Sequence, residues 1–321
     1  MLGLRKFLRE RSDLGECGPQ AIREEMVRRR LTSIPSARTI ARILGRRGAL
    51  DGRRRFRRPA PPRGWYLPDL AARKDELDSF DVIEDLVIAG GAEVNVLTGI
   101  SLHGGLCAAW PATQITAKST VLALYEHWRE TGLPRYAKFD NDMVFHGSHG
   151  RPDSFGRVTR FCLSLGVIPV FAPPRETGFQ ADIESFNGRW QNGVWSRFRF
   201  VDVNHVARQS RKYVTASREK HVARIQDAPA RRSIPKRWRL NLRRPLQGTV
   251  IFLRRTDENG NVRVLGRTYS ADRKWCRRLV RAEVDLDRGQ IRIYALRRRE
   301  PKTHRHLRTH DYRPPSSVFH A

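Results

Sequence analysis

Long apolar runs are absent from this sequence of 321 residues. No stretch reaches the roughly 18 consecutive apolar residues that indicate a transmembrane helix, so no such helix is expected. The first residues of the chain are basic but contain no apolar stretch of the kind that a secretory signal needs. We therefore expect neither a transmembrane helix nor a secretory signal.

Cysteine is scarce as well. The four cysteines lie far apart along the chain and form no CxxC pair. This spacing favours neither a disulfide framework nor a zinc site. It is typical of a reduced, intracellular protein.

Acidic residues are the third deficiency. There are 33 Asp and Glu against 62 Lys and Arg, which gives a net charge of +29 and a pI near 11.3. Such an excess repels itself unless a polyanion neutralises it, so nucleic acid is the expected partner. Hydrophobic residues make up 39% of the chain and include 14 Phe and 7 Trp, which argues against disorder throughout.

The charge is distributed unevenly. Residues 1–70 carry 18 Lys and Arg against 7 Asp and Glu, a net of +11, and residues 201–321 carry 31 against 11, a net of +20. Residues 71–200 carry 13 against 15, a net of −2. A simple electrostatic wrapper for nucleic acid needs no carboxylate-rich centre, whereas a metal-dependent enzyme acting on phosphates does, because divalent cations bind oxygen ligands. Charge alone leaves open a globular core with solvated basic tails.

Residues 1–50 predict a compact helical unit. Pro19 opens one helix, and Ser36 is a candidate N-cap for a second helix over 37–47 that Gly48 ends. The second helix carries a basic face formed by Arg38, Arg42, Arg46 and Arg47. Two helices in this order match a DNA-binding helix-turn-helix, and an ordinary helical hairpin with solvated arginines is the alternative.

A basic, proline-rich linker follows over residues 51–72. It has little helix potential and is expected to be extended. Its arginines, among them Arg54 and Arg55, could follow a phosphate backbone or be solvated, and both interpretations stay open.

The middle of the chain changes to an alternation of strands and helices. A meander of three strands is followed by helix, strand, helix, strand and helix, an order that predicts a mixed sheet flanked by helices. The predicted strands are 78–83, 94–100, 106–110, 136–139 and 167–171, and the predicted helices are 119–129, 158–165 and 180–195.

Three carboxylates occupy informative places in this order. Asp81 lies on the first strand, Asp140 at the C-terminal end of the fourth strand, and Glu184 on the last helix. Sites in α/β sheets form at strand ends, and converging carboxylates repel unless cations neutralise them. Two divalent ions about 4 Å apart can do so and can activate both ends of a phosphoryl displacement. Taken singly, each residue could be an exposed surface group.

The surrounding motifs resemble those of a known family. Phe139-Asp-Asn-Asp-Met-Val-Phe145 resembles the second motif of DDE transposases and retroviral-type integrases. Ala172-Pro-Pro, with the later Ala181-Asp-Ile-Glu-Ser-Phe-Asn187, resembles the third, in which Glu184 and Asn187 take the E-x-x-N positions. Phe80-Asp81 resembles the first.

The flanks extend this resemblance over nearly the whole chain. Residues 34–48 resemble the helix-turn-helix of bacterial insertion-sequence transposases. The stretch 262–269, with strands near 248–254 and 279–295, resembles their small C-terminal β-barrel.

The resemblance implies an α/β protein with an RNase H-like mixed sheet and flanking helices. An all-α helix-turn-helix unit would precede this sheet, and a small β-barrel would follow it. The implied divisions are a DNA-binding unit over 1–50, a linker over 51–72, a catalytic core over 73–200, a basic connector over 201–244, and a barrel with a basic tail over 245–321.

The activity implied is that of a DNA transposase or integrase. Asp81, Asp140 and Glu184 would be catalytic and would hold two Mg²⁺ ions, with Mn²⁺ as a substitute. Element ends would be cleaved, and the 3′-OH would then be transferred into target DNA. The partner would be double-stranded DNA, bound by a homo-oligomer in the cytoplasm at the nucleoid, and a helper protein is left open.

Ten residues are the candidates for contact with DNA. Asn187 could instead orient Glu184, and the paired arginines of the C-terminal third are expected to bind phosphates without sequence preference. The candidates are Arg38, Arg42, Arg46, Arg47, Arg54, Arg55, Asn187, Arg189, Arg243 and Arg244.

One departure from the family pattern and one open choice of residue qualify this interpretation. Asp142 stands where the family usually has Gly, which adds a carboxylate beside the site. Asp78, Glu84 and Asp85 are rivals to Asp81 as the first carboxylate. Strand alternation places Asp81 and Asp85 on one face and Asp78 and Glu84 on the other.

Other functions remain as alternatives. A nuclease of the same fold would hydrolyse DNA without joining it, and a decayed relative would bind DNA without cutting it. An RNA-binding protein is disfavoured because the aromatic pattern that stacks bases is missing.

Overall fold

The computed structural model describes residues 1–50, 62–147, 152–176, 178–298, 300–301 and 303–313. The first eleven residues of the predicted linker, with Arg54 and Arg55, lie outside this set. Across the described parts of the chain, no helix combines the length and the apolar character needed to cross a membrane.

The N-terminal residues form three helices around a small core. They are α1 (Leu2–Arg11), α2 (Pro19–Arg28) and α3 (Ala37–Arg46). The core consists of Leu8, Ile22, Met26, Ile40 and Leu44, so each helix buries one apolar stripe.

Both helices predicted in this unit are confirmed. At the start of α3 the Ser36 hydroxyl accepts a hydrogen bond from the backbone N–H of Thr39. Gly48 follows the end of α3 with a φ of +65°. Helix α1 was not predicted.

A nine-stranded sheet forms the centre of the molecule. Its strands are β1 (Leu77–Val87), β2 (Glu93–Ser101), β3 (Cys107–Ala112), β4 (Tyr136–Phe139), β5 (Ile168–Phe171), β6 (Thr249–Arg255), β9 (Leu279–Asp285), β10 (Gln290–Ala295) and β11 (His306–Asp311). A separate hairpin is formed by β7 (Asn261–Val264) and β8 (Arg267–Ser270). The strand order is β11-β10-β9-β6-β5-β4-β1-β2-β3. Strands β1, β4, β5 and β6 run parallel, and β1, β2 and β3 form the predicted antiparallel meander.

Helices cover both faces of this sheet. The remaining helices are α4 (Pro68–Ala71), α5 (Ala117–Thr131), α6 (Met143–His146), α7 (Arg157–Ser164), α8 (Ala181–Gly193), α9 (Val203–Lys220) and α10 (Val222–Gln226). Helices α5 and α7 pack on one face, and α8 and α9 pack on the other. Ile183, Phe186 and Trp190 of α8 are all buried, as their spacing predicts. The mixed sheet with flanking helices is therefore confirmed.

Four phenylalanines lie side by side at the same level of the four parallel strands. Phe80, Phe139, Phe171 and Phe252 follow one another across β1, β4, β5 and β6, with ring centroids 5.6, 6.1 and 5.2 Å apart in that order. Because side chains alternate along a strand, the residue after each Phe points to the opposite face. Those residues include Asp81 and Asp140.

The expected separate C-terminal barrel is not confirmed. Strand β6 pairs with β5 in parallel, through Val170 with Ile251 and Phe171 with Phe252, and β9, β10 and β11 extend the same sheet. No pairing among the described residues closes β11 onto β6. The physical reason lies in β6, whose residues 250–253 are buried in succession, a pattern that suits a strand covered on both faces inside a large sheet.

Candidate active site

Asp81 and Asp140 lie side by side on neighbouring parallel strands. The register of β1 and β4 pairs Ser79 with Lys138, and the two aspartates are each two residues further along. They therefore lie at the same level and on the same face of the sheet, the face that α8 covers. Both side chains are half-buried.

The electrostatics of this pair disfavour two bare negative charges. Burial, together with the carboxylates of Asp140 and then Glu184, raises the pKa of Asp81 from 3.8 to about 6. Burial also raises the pKa of Asp140, with Asp142 and Glu84 adding to the effect. A bound cation would relieve this repulsion, and carboxylate oxygens are the ligands that Mg²⁺ prefers. The pair therefore fits a divalent metal.

Asn187 holds Asp81 in place. Its Nδ2 donates to Asp81 Oδ2 at 2.8 Å, and its Oδ1 accepts from Thr98 Oγ1 at 2.8 Å. The Thr98 hydroxyl also lies 3.1 Å from the Asp81 carbonyl oxygen. Sequence reasoning assigned Asn187 to DNA or to the orientation of Glu184, whereas the structure joins its amide to Asp81.

Glu184 stands apart from the aspartate pair. It lies in the first turn of α8, one turn before Asn187, and its side chain is exposed. It is near enough to influence the pKa of Asp81. Within the described ranges, however, no three His, Cys, Asp or Glu side chains are close enough together to hold one metal ion. The structure thus brings two of the three predicted carboxylates together.

The rivals of Asp81 have other surroundings. Asp78 is buried on the opposite face, where it accepts from Trp128 Nε1 at 2.9 Å and forms an ion pair with Arg231. Asp85 is exposed and has a φ of +58° in an irregularity between Ile83 and Leu86, which breaks the alternation that the sequence pattern assumed.

The turn after β4 is built from its own polar groups. The Asp142 N–H donates to Asp140 Oδ1 at 2.9 Å, and the Asp142 side chain accepts from the Val144 N–H at 2.7 Å. Asp142 therefore serves as the N-cap of α6. This accounts for the extra carboxylate in the second motif.

Lys138 is a buried cation next to the site that sequence reasoning missed. Its side chain is fully buried, and Nζ donates to the Phe179 carbonyl at 2.5 Å and to the Tyr66 hydroxyl at 3.2 Å. Burial lowers its pKa to about 8, although Asp182 and Glu184 act in the opposite direction. The available signal was a lysine inside an apolar strand, on the same face as Asp140.

The predicted DNA-contacting arginines are spread over several surfaces. Arg189 Nη1 donates to Ser185 Oγ at 3.3 Å, and the Arg189 side chain also interacts with Tyr213 of α9. The others that the structure describes are exposed, on or next to α3 and in the segment before β6: Arg38, Arg42, Arg46, Arg47, Arg243 and Arg244.

Comparison with known proteins gives weak structural similarities. No family model matches the chain, and no curated protein does.

A chain in the cryo-EM structure of the simian T-cell lymphotropic virus intasome with the PP2A regulatory subunit B56 gamma is 12% identical, over 83% of this chain and 85% of that chain, with a TM-score of 0.38. The HTLV-2 integrase catalytic core domain in complex with magnesium is 14% identical, over 48% and 86%, with a TM-score of 0.31. The BIV integrase catalytic core domain is 13% identical, over 46% and 93%, with a TM-score of 0.35. Because these TM-scores are below 0.5, the similarities establish neither the fold family nor the activity of this chain.

Proposed function

We propose that this protein is a DDE-type polynucleotidyl transferase, a DNA transposase or integrase with an RNase H-like catalytic domain. The observation that carries the proposal is the pair of half-buried aspartates, Asp81 and Asp140, on adjacent parallel strands beneath a helix that carries Glu184 and Asn187. The raised pKa of Asp81 supports a cation-binding site, because a bound cation would stabilise the ionised carboxylate.

Asp81 and Asp140, with Glu184, would hold Mg²⁺, or Mn²⁺ in its place. When bound, two such ions would activate the attacking oxygen, from water or a DNA 3′-OH, and would neutralise the charge on the leaving oxygen. The chain itself orients the first carboxylate through Asn187 and shapes the second through the turn over residues 140–142. Glu184, which is exposed, would complete the ligand set.

Double-stranded DNA is the substrate in this proposal. The net charge of +29 supports a polyanionic partner. The basic face of α3 would recognise element ends in the manner of a helix-turn-helix, and Arg243 and Arg244 would bind phosphate. Synapsis of two ends calls for a homo-oligomer on DNA.

The test uses the full chain and a labelled plasmid that carries its gene with the flanking DNA. With Mg²⁺ we expect cleaved ends and, later, products joined to target DNA, and we expect neither in EDTA. D81N, D140N and E184Q should lower cleavage on the order of 100-fold or more, because each removes a ligand of ions that contribute several kcal/mol.

D85N is the matched control, since Asp85 is an exposed carboxylate on the same strand and should be dispensable. Cleavage without joining would identify a nuclease instead. Binding without any metal-dependent cleavage would identify a non-enzymatic DNA-binding protein.

A further inference from the structure

Arg254 lies where the parallel strands end, next to the turn that carries Asp140. Phe139, Phe171 and Phe252 lie at one level of β4, β5 and β6. Two residues beyond that level, β4 has reached Asn141 and β6 has reached Arg254. A residue of the C-terminal strands is thereby brought beside the candidate active site.

The Arg254 guanidinium connects the ends of two other strands. Nη2 donates to Asn141 Oδ1 at 2.8 Å, and Nη1 donates to the Ala172 carbonyl at 3.1 Å. Nη1 also donates to the Leu253 carbonyl at 2.8 Å, and the guanidinium lies 5.0 Å from the centre of the Phe252 ring. Its hydrogen bonds thus go to carbonyl and amide oxygens.

The Arg254 side chain is half-buried, and its guanidinium has no acidic partner among the described residues. Burial lowers the pKa of Arg254 to about 10. No salt bridge in the described parts of the chain includes Arg254. Partial burial of a cation without a carboxylate is costly, and the hydrogen bonds to the oxygens of Asn141, Ala172 and Leu253 offset part of that cost.

Asn141 connects the Arg254 guanidinium with the turn that carries Asp140. Its Nδ2 donates to the same Ala172 carbonyl at 2.6 Å, so Asn141, Ala172 and Arg254 are each hydrogen-bonded to the other two. Asn141 is the middle residue of the turn in which the Asp142 N–H donates to Asp140 Oδ1. Fixing the middle of this turn fixes the direction of the Asp140 carboxylate.

We infer that Arg254 is a positioning residue for the metal ligand Asp140, acting through Asn141. The inference rests on the proposed function and extends it, because it makes β6 a part of the active site. Partners that orient a metal ligand typically change metal affinity about 10- to 100-fold when they are removed.

The experiment compares R254M, R254K and the control R255M in the full-length protein. Arg255 is exposed and pairs with Glu176, so R255M removes a neighbouring arginine without touching Asn141. Binding of Mn²⁺ is measured by calorimetry well below each melting temperature, and cleavage is measured against Mg²⁺ concentration.

For R254M we expect Mn²⁺ affinity to fall by about tenfold or more, with a matching shift of the Mg²⁺ profile to higher concentration. R254K should recover part of the loss, and R255M should behave as the wild type. A folded R254M with wild-type Mn²⁺ affinity and an unchanged Mg²⁺ profile would overturn the inference.

Asn141→Ala provides a second route if R254M does not fold, because it leaves Arg254 bonded to Ala172. It should weaken Mn²⁺ binding as R254M does, and normal binding in a folded N141A protein would equally refute the positioning role. Failure of the proposed function would look different. The wild type would bind Mn²⁺ more tightly than R254M but cleave no DNA.

Discussion

At the scale of single residues, the main feature is the raised pKa of the Asp81 carboxyl group. Asp81 has a pKa of about 6 because it is half-buried and faces Asp140 and Glu184. The hydrogen bond from Asn187 favours the ionised form but does not offset burial. The metal-free protein therefore carries an electrostatic penalty that a cation would remove.

This penalty predicts a pH dependence of stability. Because the folded pKa lies above 3.8, the folded state holds the Asp81 proton more tightly than the unfolded chain does. The free energy of unfolding should therefore fall as the pH rises from about 4 to 6, by on the order of 1–3 kcal/mol. D81N should remove this contribution, so in EDTA it should stabilise the protein at pH 7.5 and have a smaller effect at pH 4.5.

Urea denaturation of the wild type, D81N and the exposed-site control D85N at both pH values measures the effect. The substituted amide can still accept from Asn187, so the local hydrogen bond is kept. Equal effects of D81N at the two pH values would show that the Asp81 pKa is not raised.

At the scale of elements, helix α8 joins the core to the site. Ile183, Phe186 and Trp190 are buried against the sheet, and between them Glu184 is exposed and Asn187 reaches Asp81. The apolar stripe sets the rotation of the helix, and this rotation determines which polar residues face β1. Packing and chemistry are thus coupled through one helix.

This coupling predicts the phenotype of Asn187→Ala. The substitution removes the bond to Asp81 Oδ2 and the acceptor for Thr98, so cleavage should fall about 10- to 100-fold at low Mg²⁺. DNA affinity should be unchanged, because Asn187 is engaged inside the protein. Gel-shift and cleavage assays run in parallel measure the two effects, with N192A, which removes an exposed amide on the same helix, as the control. A loss of DNA affinity with normal metal dependence would assign Asn187 to DNA instead.

At the scale of the whole molecule, the C-terminal strands are part of the central sheet. Deleting residues 245–321 would expose the edge of β5 that pairs through Val170 and Phe171. A deletion would therefore disturb the candidate site together with the basic charge. Point substitutions in exposed arginines separate the two.

The double substitution R243A/R244A tests the phosphate-binding role of this region. If each arginine neutralises one phosphate, the slope of log affinity against log salt should become shallower by about 2, since each contact contributes about 0.9. Titration of one duplex at several salt concentrations measures the slope. K118A/R129A, an exposed basic pair on α5, is the control, and a slope equal to that of the wild type in R243A/R244A would exclude the contact.

Features that depend on neighbouring residues could be predicted from the sequence. Except for the short α6, which was not predicted, the elements from β1 to α8 follow from local patterning, as do the cap at Ser36 and the buried stripe of α8. The net charge and its concentration at both ends depend on composition alone. The candidate carboxylates were found because each lies at an informative place in this order of elements.

Other features were decided by the tertiary structure alone, because they depend on which distant segments meet. The partners of Asp78, buried with Trp128 and Arg231, separate it from Asp81 only after the strands are paired. The position of β6 beside β5, and with it the contact of Arg254 with Asn141, requires residues more than 100 positions apart to come together. Short-range periodicity contains no information on such pairings, since strand neighbours and register are set by packing of the whole sheet.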